Sequence, residues 1–243
     1  MLTIRRSGID LNTLAAQIGN VPKTMIPYAA ATALTRCAKH AQTKALPDAM
    51  RASFDGVTSW TLNSLRIEPA TKDHLSARIM VKNQASGVPP ENYLFPEVEG
   101  GERKRKRSEN AMGYAGVLAS GEYAMPKAME LDANGNVKGA EVRTILAALK
   151  NIRGGVGAKG QRAGRGKRLA NDLFVGKPRG GDRPGGIWRR EGHRLRALFV
   201  FTSRAPVYKE RLDFNGVVQQ VALDRFKPEF EKAVAALQAR GWK

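Results

Sequence analysis

The histidines and the single cysteine are the residues of this chain best suited to catalysis or metal binding. The histidines are His40, His74 and His193, and the cysteine is Cys37. They are far apart, and none has the spacing of a zinc site or a nucleophilic triad. No carboxylate pair stands out among the 22 acidic residues. We therefore expect no catalytic residues, no metal and no cofactor, and predict that the chain is not an enzyme.

One short segment resembles a calcium-binding loop. Asp132, Asn134 and Asn136 match the first three oxygen positions of an EF-hand loop. The sixth position is Val137 where glycine is needed, and the twelfth is Arg143 where a bidentate glutamate is needed. We predict instead an Asn-Gly turn that starts the following helix.

A second segment superficially resembles a phosphate-binding loop. Residues 154–168 are rich in glycine, arginine and lysine. The residue five before Gly166 is Gln161, and Lys167 is followed by Arg168, so the pattern G-x-x-x-x-G-K-[ST] is not met. The tract has almost nothing to bury, which predicts a mobile loop without a nucleotide site.

The charge of the chain is its most unusual property. It has 41 Lys and Arg against 22 Asp and Glu, a net charge of +19 and a pI near 10.5. Nucleic acid, an acidic protein surface or an anionic membrane could neutralise such an excess. Residues 153–196 hold thirteen basic and three acidic residues, a net charge of +10, and residues 103–107 form a second cluster.

These clusters supply the candidate binding residues. Arginines in glycine-rich loops make adaptable phosphate contacts that carry no sequence information. Only Phe174 and Trp188 interleave with residues 153–196, so we expect contact with a nucleic-acid backbone rather than base stacking. A solvated charged loop, or one that orders against an acidic neighbouring subunit, is an equally good interpretation. The candidates are Arg103, Lys104, Arg105, Lys106, Arg107, Lys159, Arg162, Arg165, Lys167, Arg168, Arg179, Arg183, Arg189 and Arg190.

The elements that must position these residues follow from apolar periodicity. The order of the patterns predicts an α+β fold, with one small mixed or antiparallel sheet packed by a long N-terminal and a C-terminal helix. Pro47 and Pro228 each predict a kink or break. Thr58 or Ser59 predicts the cap of a short helical turn. Strands are predicted at 2–9, 65–68, 74–82, 172–176, 186–190 and 195–202, and helices at 22–54, 138–152 and 216–240, with an irregular helical pattern at 91–118.

We predict one domain of 243 residues. Its core segments are 1–82 and 170–243, and the helical and basic-loop region 83–169 is inserted between them. The N-terminus lacks the apolar stretch of a signal peptide, and no run is long enough for a membrane span. We therefore expect a soluble protein.

Three passages share their patterns with a known group of structural proteins. The first consists of IPYAAATALTRCAK at 26–39 and TSWTLNSLRIEPATK at 58–72. The second is LDANGNVKGAEVRTILAAL at 131–149. The third combines FVG at 174–176, GGIWRR at 185–190, LFVFT at 198–202 and VYKERLDF at 207–214. Together these passages resemble minor tail protein Z and the tail-completion proteins of long-tailed phages. All three are patterns of small, apolar and turn residues, and residues 83–167 are longer than the matching part of compact members.

The resemblance implies a structural protein of the virion, assembled in the host cytoplasm and placed in the tail or at the head–tail interface. It implies a homo-oligomeric ring that contacts other neck and tail proteins, and it brings no catalytic residues. It leaves open a contact with the backbone of the genomic double-stranded DNA. The alternative from composition is a non-specific nucleic-acid-binding protein that uses its clustered basic patch. A nuclease or other enzyme is a third, less favoured class.

Overall fold

A computed structural model of the chain describes residues 2–5, 10–19, 21–83, 88–133, 135–153, 172–178 and 184–241. It is an α+β structure with antiparallel pairing throughout the described strands, which confirms the predicted fold class. The helices are α1 Leu11–Ile18, α2 Ile26–His40, α3 Leu46–Ser53, α4 Ser59–Leu62, α5 Pro90–Glu99, α6 Arg107–Tyr114, α7 Gly139–Arg153 and α8 Phe214–Ala239. The strands are β1 Leu2–Arg5, β2 Leu65–Glu68, β3 Ser76–Val81, β4 Gly101–Glu102, β5 Tyr123–Pro126, β6 Leu173–Gly176, β7 Gly186–Glu191, β8 Arg194–Thr202 and β9 Val207–Tyr208.

The chain divides into two compact units. The first unit consists of Met1–Gly100 and Lys209–Lys243, and the second unit is Gly101–Tyr208. The sequence placed the strands after residue 170 with the core segments, whereas β6, β7 and β8 belong to the second unit. The reason is that they share a sheet with β5 and a core with α7.

A long helical rod organises the first unit. Its buried face is made of small residues, among them Ala30, Ala33 and Cys37, so α8 packs closely against α2. The rod continues from α2 through a single π turn, Ala41–Ala45, into α3. Pro47 lacks an N–H group and cannot continue the regular bonding pattern. The sequence predicted a kink or an interruption at Pro47. The helix instead contains a π turn just before Pro47 and continues through it.

The sheet of the first unit has the order β1-β3-β2, and β2 and β3 pair as the sequence predicted. Thr58 caps α4, because its hydroxyl oxygen accepts a hydrogen bond from the Thr61 N–H at 3.2 Å. Ala77 and Ile79 of β3 are fully buried and contribute to the core shared with α2 and α8. The predicted cap and strand pair are both confirmed.

Helix α8 closes the first unit. The Asp213 carboxylate caps it by accepting the Gly216 N–H at 2.8 Å, and a Cβ atom at position 216 would overlap that carboxylate. The sequence predicted a kink or a break at Pro228. The break does not occur, because α8 runs through this residue as one helix. Pro228 is exposed, so water can solvate the carbonyl that loses its helical partner. Leu223, predicted as a core residue, is 63% exposed.

The second unit contains a four-stranded sheet in the order β5-β8-β7-β6. Ile145 and Leu149 of α7 pack with Ile187 and Leu198 in one core, as the apolar stripe of the helix predicted. Gly186 lies where the chain passes closest to the next strand, since a Cβ atom there would overlap the Phe199 carbonyl oxygen. The register between β7 and β8 shifts just after this glycine, between Ile187 and Trp188. The strands thus divide among three sheets in the described residues, where one sheet was expected.

A short ribbon joins the two ends of the second unit. β4 and β9 form an antiparallel ladder in which Gly101 pairs with Tyr208 and Glu102 with Val207. In the first unit, the Glu97 carbonyl accepts the N–H groups of Arg211 and Leu212 at 2.8 and 3.0 Å. The segments that lead into and out of the second unit are therefore neighbours.

Candidate nucleic-acid interface

Most of the positive charge belongs to the second unit. Its 108 residues contain 23 Lys and Arg against 9 Asp and Glu, a net charge of +14. The first unit has 18 Lys and Arg against 13 Asp and Glu, a net charge of +5. The second unit therefore carries most of the excess charge that a polyanion could neutralise.

Arg103 is an internal residue rather than part of the surface. Its guanidinium is 7% exposed and forms a two-bond ion pair with Glu109, at 2.7 Å from Nη1 to Oε2 and 2.5 Å from Nη2 to Oε1. It also lies over the Tyr123 ring, 5.3 Å from the centroid. The prediction that Arg103 binds a polyanion is corrected, because burial and the paired carboxylate leave it no outward donor.

Glu109 holds the basic segment in place. Its side chain also accepts the Lys106 N–H at 2.6 Å and the Ala124 N–H at 3.1 Å. Burial raises the pKa of this carboxyl, but the hydrogen bonds from Arg103, Lys106 and Ala124 outweigh burial, so the pKa is lowered. One ionised carboxylate thus ties residues 103–106 and the start of α6 to strand β5.

Lys104, Lys106 and Arg107 are exposed around this anchor. Lys106 and Arg107 stand at the start of α6, where the helix dipole already contributes partial positive charge. Cations there oppose the dipole, so their placement costs helix stability. An anion at this end would be favoured by both the side chains and the helix. We call Lys104, Lys106 and Arg107 the first cationic cluster.

The hairpin of β7 and β8 carries the second cationic cluster, defined here as Arg190 and Arg194. Both are exposed, and the Arg190 guanidinium lies over the Phe174 ring at 5.2 Å. Arg189 differs, because it is half-buried and faces Glu141 at 3.8 Å. Arg196 is also held inward, by the Ala128 carbonyl at 2.7 Å. Of the two predicted residues in this hairpin, Arg190 alone is presented to solvent.

The two clusters lie toward opposite ends of β8. Arg194 begins this strand, whereas Thr202 at its other end pairs with Tyr123, on which Arg103 packs. Nine residues of strand span about 26 Å at 3.3 Å per residue. That length corresponds to about eight base pairs of duplex DNA, counting 3.4 Å per base pair. The structure does not bring the described candidates to one point.

The other seven candidates lie outside the described residues. They are Lys159, Arg162, Arg165, Lys167, Arg168, Arg179 and Arg183, and the predicted mobile loop 154–168 falls in the same part of the chain.

Sequence reasoning missed Arg204, whereas it included Arg105 among the candidates. Arg204 is exposed, and the loop it occupies is tied to Arg103 through the Pro206 carbonyl, which accepts the Arg103 N–H at 3.2 Å. An isolated arginine after a predicted strand carried no signal. Arg105 is half-buried and donates to the Ala119 carbonyl at 3.3 Å.

The residues first considered for catalysis are dispersed. Cys37 is fully buried between α2 and α8, and burial, with the nearby Glu229 charge, raises its pKa to about 11. Burial, followed by the charges of Arg225 and Lys44, lowers the pKa of His40. His74 and His193 are exposed. Within the described ranges, no three His, Cys, Asp or Glu residues are arranged to hold a metal ion.

The calcium-loop look-alike is a turn. The Asp132 carboxylate accepts the Asn136 N–H at 2.9 Å, and its carbonyl accepts the Gly135 N–H at 3.0 Å. Lys138 pairs with Glu130 at 2.8 Å directly before α7. These bonds confirm a turn before α7, and Asn134 of the predicted Asn-Gly pair lies outside the described residues.

No family model, curated protein or solved structure matches this chain. Across the described residues, no helix has both the length and the apolar composition that crossing a membrane requires.

Proposed function

We propose that the chain is a structural component of a tailed-phage particle, at the head–tail interface or in tail completion. It assembles into a homo-oligomeric ring and acts by shape and charge. The observation that carries the proposal is the concentration of charge, with +14 of the +19 in the unit inserted between the two segments of the first. The resemblance of the passages at 26–39, 58–72, 131–149, 174–176, 185–190, 198–202 and 207–214 to tail-completion proteins supports this class of particle.

The two units differ in charge and in the elements they contain, and this difference supports the proposed role. The first unit, with its α2–α8 helix pair and a net charge of +5, is the part suited to contacts between copies and with neck or tail proteins. The second unit is the part suited to the backbone of double-stranded DNA. Its described cations are presented by a hairpin and by a segment anchored on Glu109, which lowers the entropy lost on binding.

The DNA contact is tested by neutralising the first cationic cluster. Lys104→Gln, Lys106→Gln and Arg107→Gln are combined in one variant, and duplex binding is measured from 50 to 300 mM salt. Loss of three phosphate contacts makes the negative slope of log K against log salt shallower by about 2.7. The matched control replaces three exposed lysines of the first unit, Lys23, Lys39 and Lys227, with glutamine. An equal slope in both variants would remove the first cationic cluster from the interface.

The particle assignment is tested separately. The chain should be found in purified phage particles, and the isolated protein should form discrete rings at high concentration, visible by mass photometry and electron microscopy. A protein absent from particles and monomeric at every concentration would contradict the assignment.

The second candidate function is non-specific nucleic-acid binding without assembly. The charge of the second unit favours it as strongly as it favours a DNA contact within a ring. Such a protein would stay monomeric while binding duplex DNA with the same steep salt dependence. The mass of the DNA-bound species therefore separates the two candidates.

A further inference from the structure

A shallow pocket lies along helix α6 of the second unit. Its volume is about 340 Å³, at the lower end of the range for small-ligand sites. Buried Leu118 contributes an apolar surface to it, and polar side chains line its rim. The lining residues are Arg105, Asn110, Gly113, Tyr114, Leu118 and Ser120.

Arg105 supplies the charge of this pocket. Its Nη2 donates to the Ala119 carbonyl at 3.3 Å, which fixes the guanidinium. A Cβ atom on Gly113 would lie 3.6 Å from Nη2, so the guanidinium rests directly against the helix. Its Nε is buried without a hydrogen-bond partner, and no described carboxylate lies within ion-pair distance of it. The Ala119 carbonyl thus fixes the Arg105 guanidinium without neutralising its charge. A bound anion could neutralise that charge.

Tyr114 supplies the aromatic surface. It is the last residue of α6, and its side chain is 90% exposed. Tyrosine rings in proteins usually bury 150–250 Å² each, so the fold gains almost nothing from this ring. An exposed ring and a positioned guanidinium in one pocket are the two parts from which stacking sites for unpaired bases are built.

We propose that this pocket binds one nucleotide of a single-stranded nucleic acid, with the base on the Tyr114 ring and the phosphate on Arg105. Asn110 and Ser120 offer donors and acceptors to the base edge. The proposal goes beyond the duplex contact proposed above and rests on the second unit contacting nucleic acid. It also extends the sequence-based expectation, which considered aromatic residues only in 153–196.

The test compares two strands of equal charge. The full chain is titrated with a fluorescent dT12 strand and with a twelve-unit abasic strand, and duplex binding is measured in parallel. Stacking of one base should make dT12 bind about 5- to 100-fold more tightly than the abasic strand. Tyr114→Ala should abolish this difference and leave abasic binding unchanged, whereas Tyr114→Phe should retain it. Arg105→Gln should weaken both strands, because both contain phosphate.

The controls separate the possible failures. Trp60→Ala removes an aromatic residue of the first unit that is 53% exposed, and it should leave dT12 binding unchanged. Equal binding of dT12 and the abasic strand, with duplex binding intact, overturns the nucleotide site alone. Absence of binding to all three probes overturns the proposed DNA contact as well. Competition by a twelve-residue polyglutamate as strong as that by dT12 overturns the nucleotide in favour of an acidic protein segment.

Discussion

Replacing Glu109 with glutamine should lower the stability of the second unit far more than a substitution at an exposed residue. The substitution removes the negative charge that Arg103 faces in a site where the two side chains are 1% and 7% exposed. It also places an NH2 group where the carboxylate accepts four N–H donors, two from Arg103 and one each from Lys106 and Ala124. Arg103 has no second carboxylate to turn to among the described residues.

The expected loss is about 3–5 kcal/mol of unfolding free energy, the usual cost of breaking one partner out of a buried ion pair. Domains are stable by only about 5–15 kcal/mol, so the second unit would lose about a fifth or more of its stability. For a unit of this size the melting temperature should fall by more than about 10 °C. Glu130→Gln is the matched control, because it removes a carboxylate from an exposed pair with Lys138, and it should melt close to the parent protein.

The assay needs a signal from the second unit alone. Trp188 is the tryptophan of this unit and is 6% exposed, so Trp60→Phe and Trp242→Phe leave its fluorescence as the reporter. Combining Arg103→Met with Glu109→Met should destabilise less than the sum of the two single changes, since no unpaired charge remains. The reasoning is refuted if Glu109→Gln melts with the Glu130→Gln control, or if the double variant is worse than the sum.

Three further outcomes follow from the same structure. The second unit should lose stability as pH falls below the unfolded-state pKa of glutamate, near 4.3, because the pKa of Glu109 is lowered in the fold; acid titration of Trp188 fluorescence should show this loss, and Glu109→Gln should abolish its Glu109 component. Cys37, fully buried with a pKa of about 11, should react with a thiol reagent at pH 8 at least 100-fold more slowly in the folded protein than in urea; comparable rates would contradict its burial. Pro228→Ala restores a helical N–H in α8 and should raise the unfolding free energy of the first unit by about 1–3 kcal/mol in urea melts; a loss would show that the helix needs its proline.

The sequence was informative where one periodic pattern determines an element. The stripe of Val142, Ile145 and Leu149 predicted α7, and the alternation through Ala77 and Ile79 predicted β3. Each element buries one face, so its apolar residues recur with the period of a helix or of a strand. The boundary of the second unit had no such signal. It depends on a ladder of two residue pairs and on which core the later strands join, and neither is periodic.

The binding surface was the less predictable part. In the run from Arg103 to Arg107 every residue has the same charge, so the sequence alone treated all five as equivalent. Their separation into one internal and several exposed residues depends on Glu109, whose position as the third residue of α6 was the available signal. Tyr114 and Arg105 are nine residues apart, and their pocket requires the turn at the end of α6, which the irregular pattern of 91–118 did not resolve.

The ribbon of β4 and β9 brings the two ends of the second unit together, so this unit could be deleted or replaced as one insertion. Paired residues of antiparallel strands have Cα atoms about 5 Å apart, so a turn of a few residues after Gly100 could connect directly to Lys209. A gene encoding the helical first unit could therefore gain, lose or exchange its cationic part by recombination at a single locus, without a new core having to be built. The charge of the second unit and the helical core of the first unit would then change independently of each other.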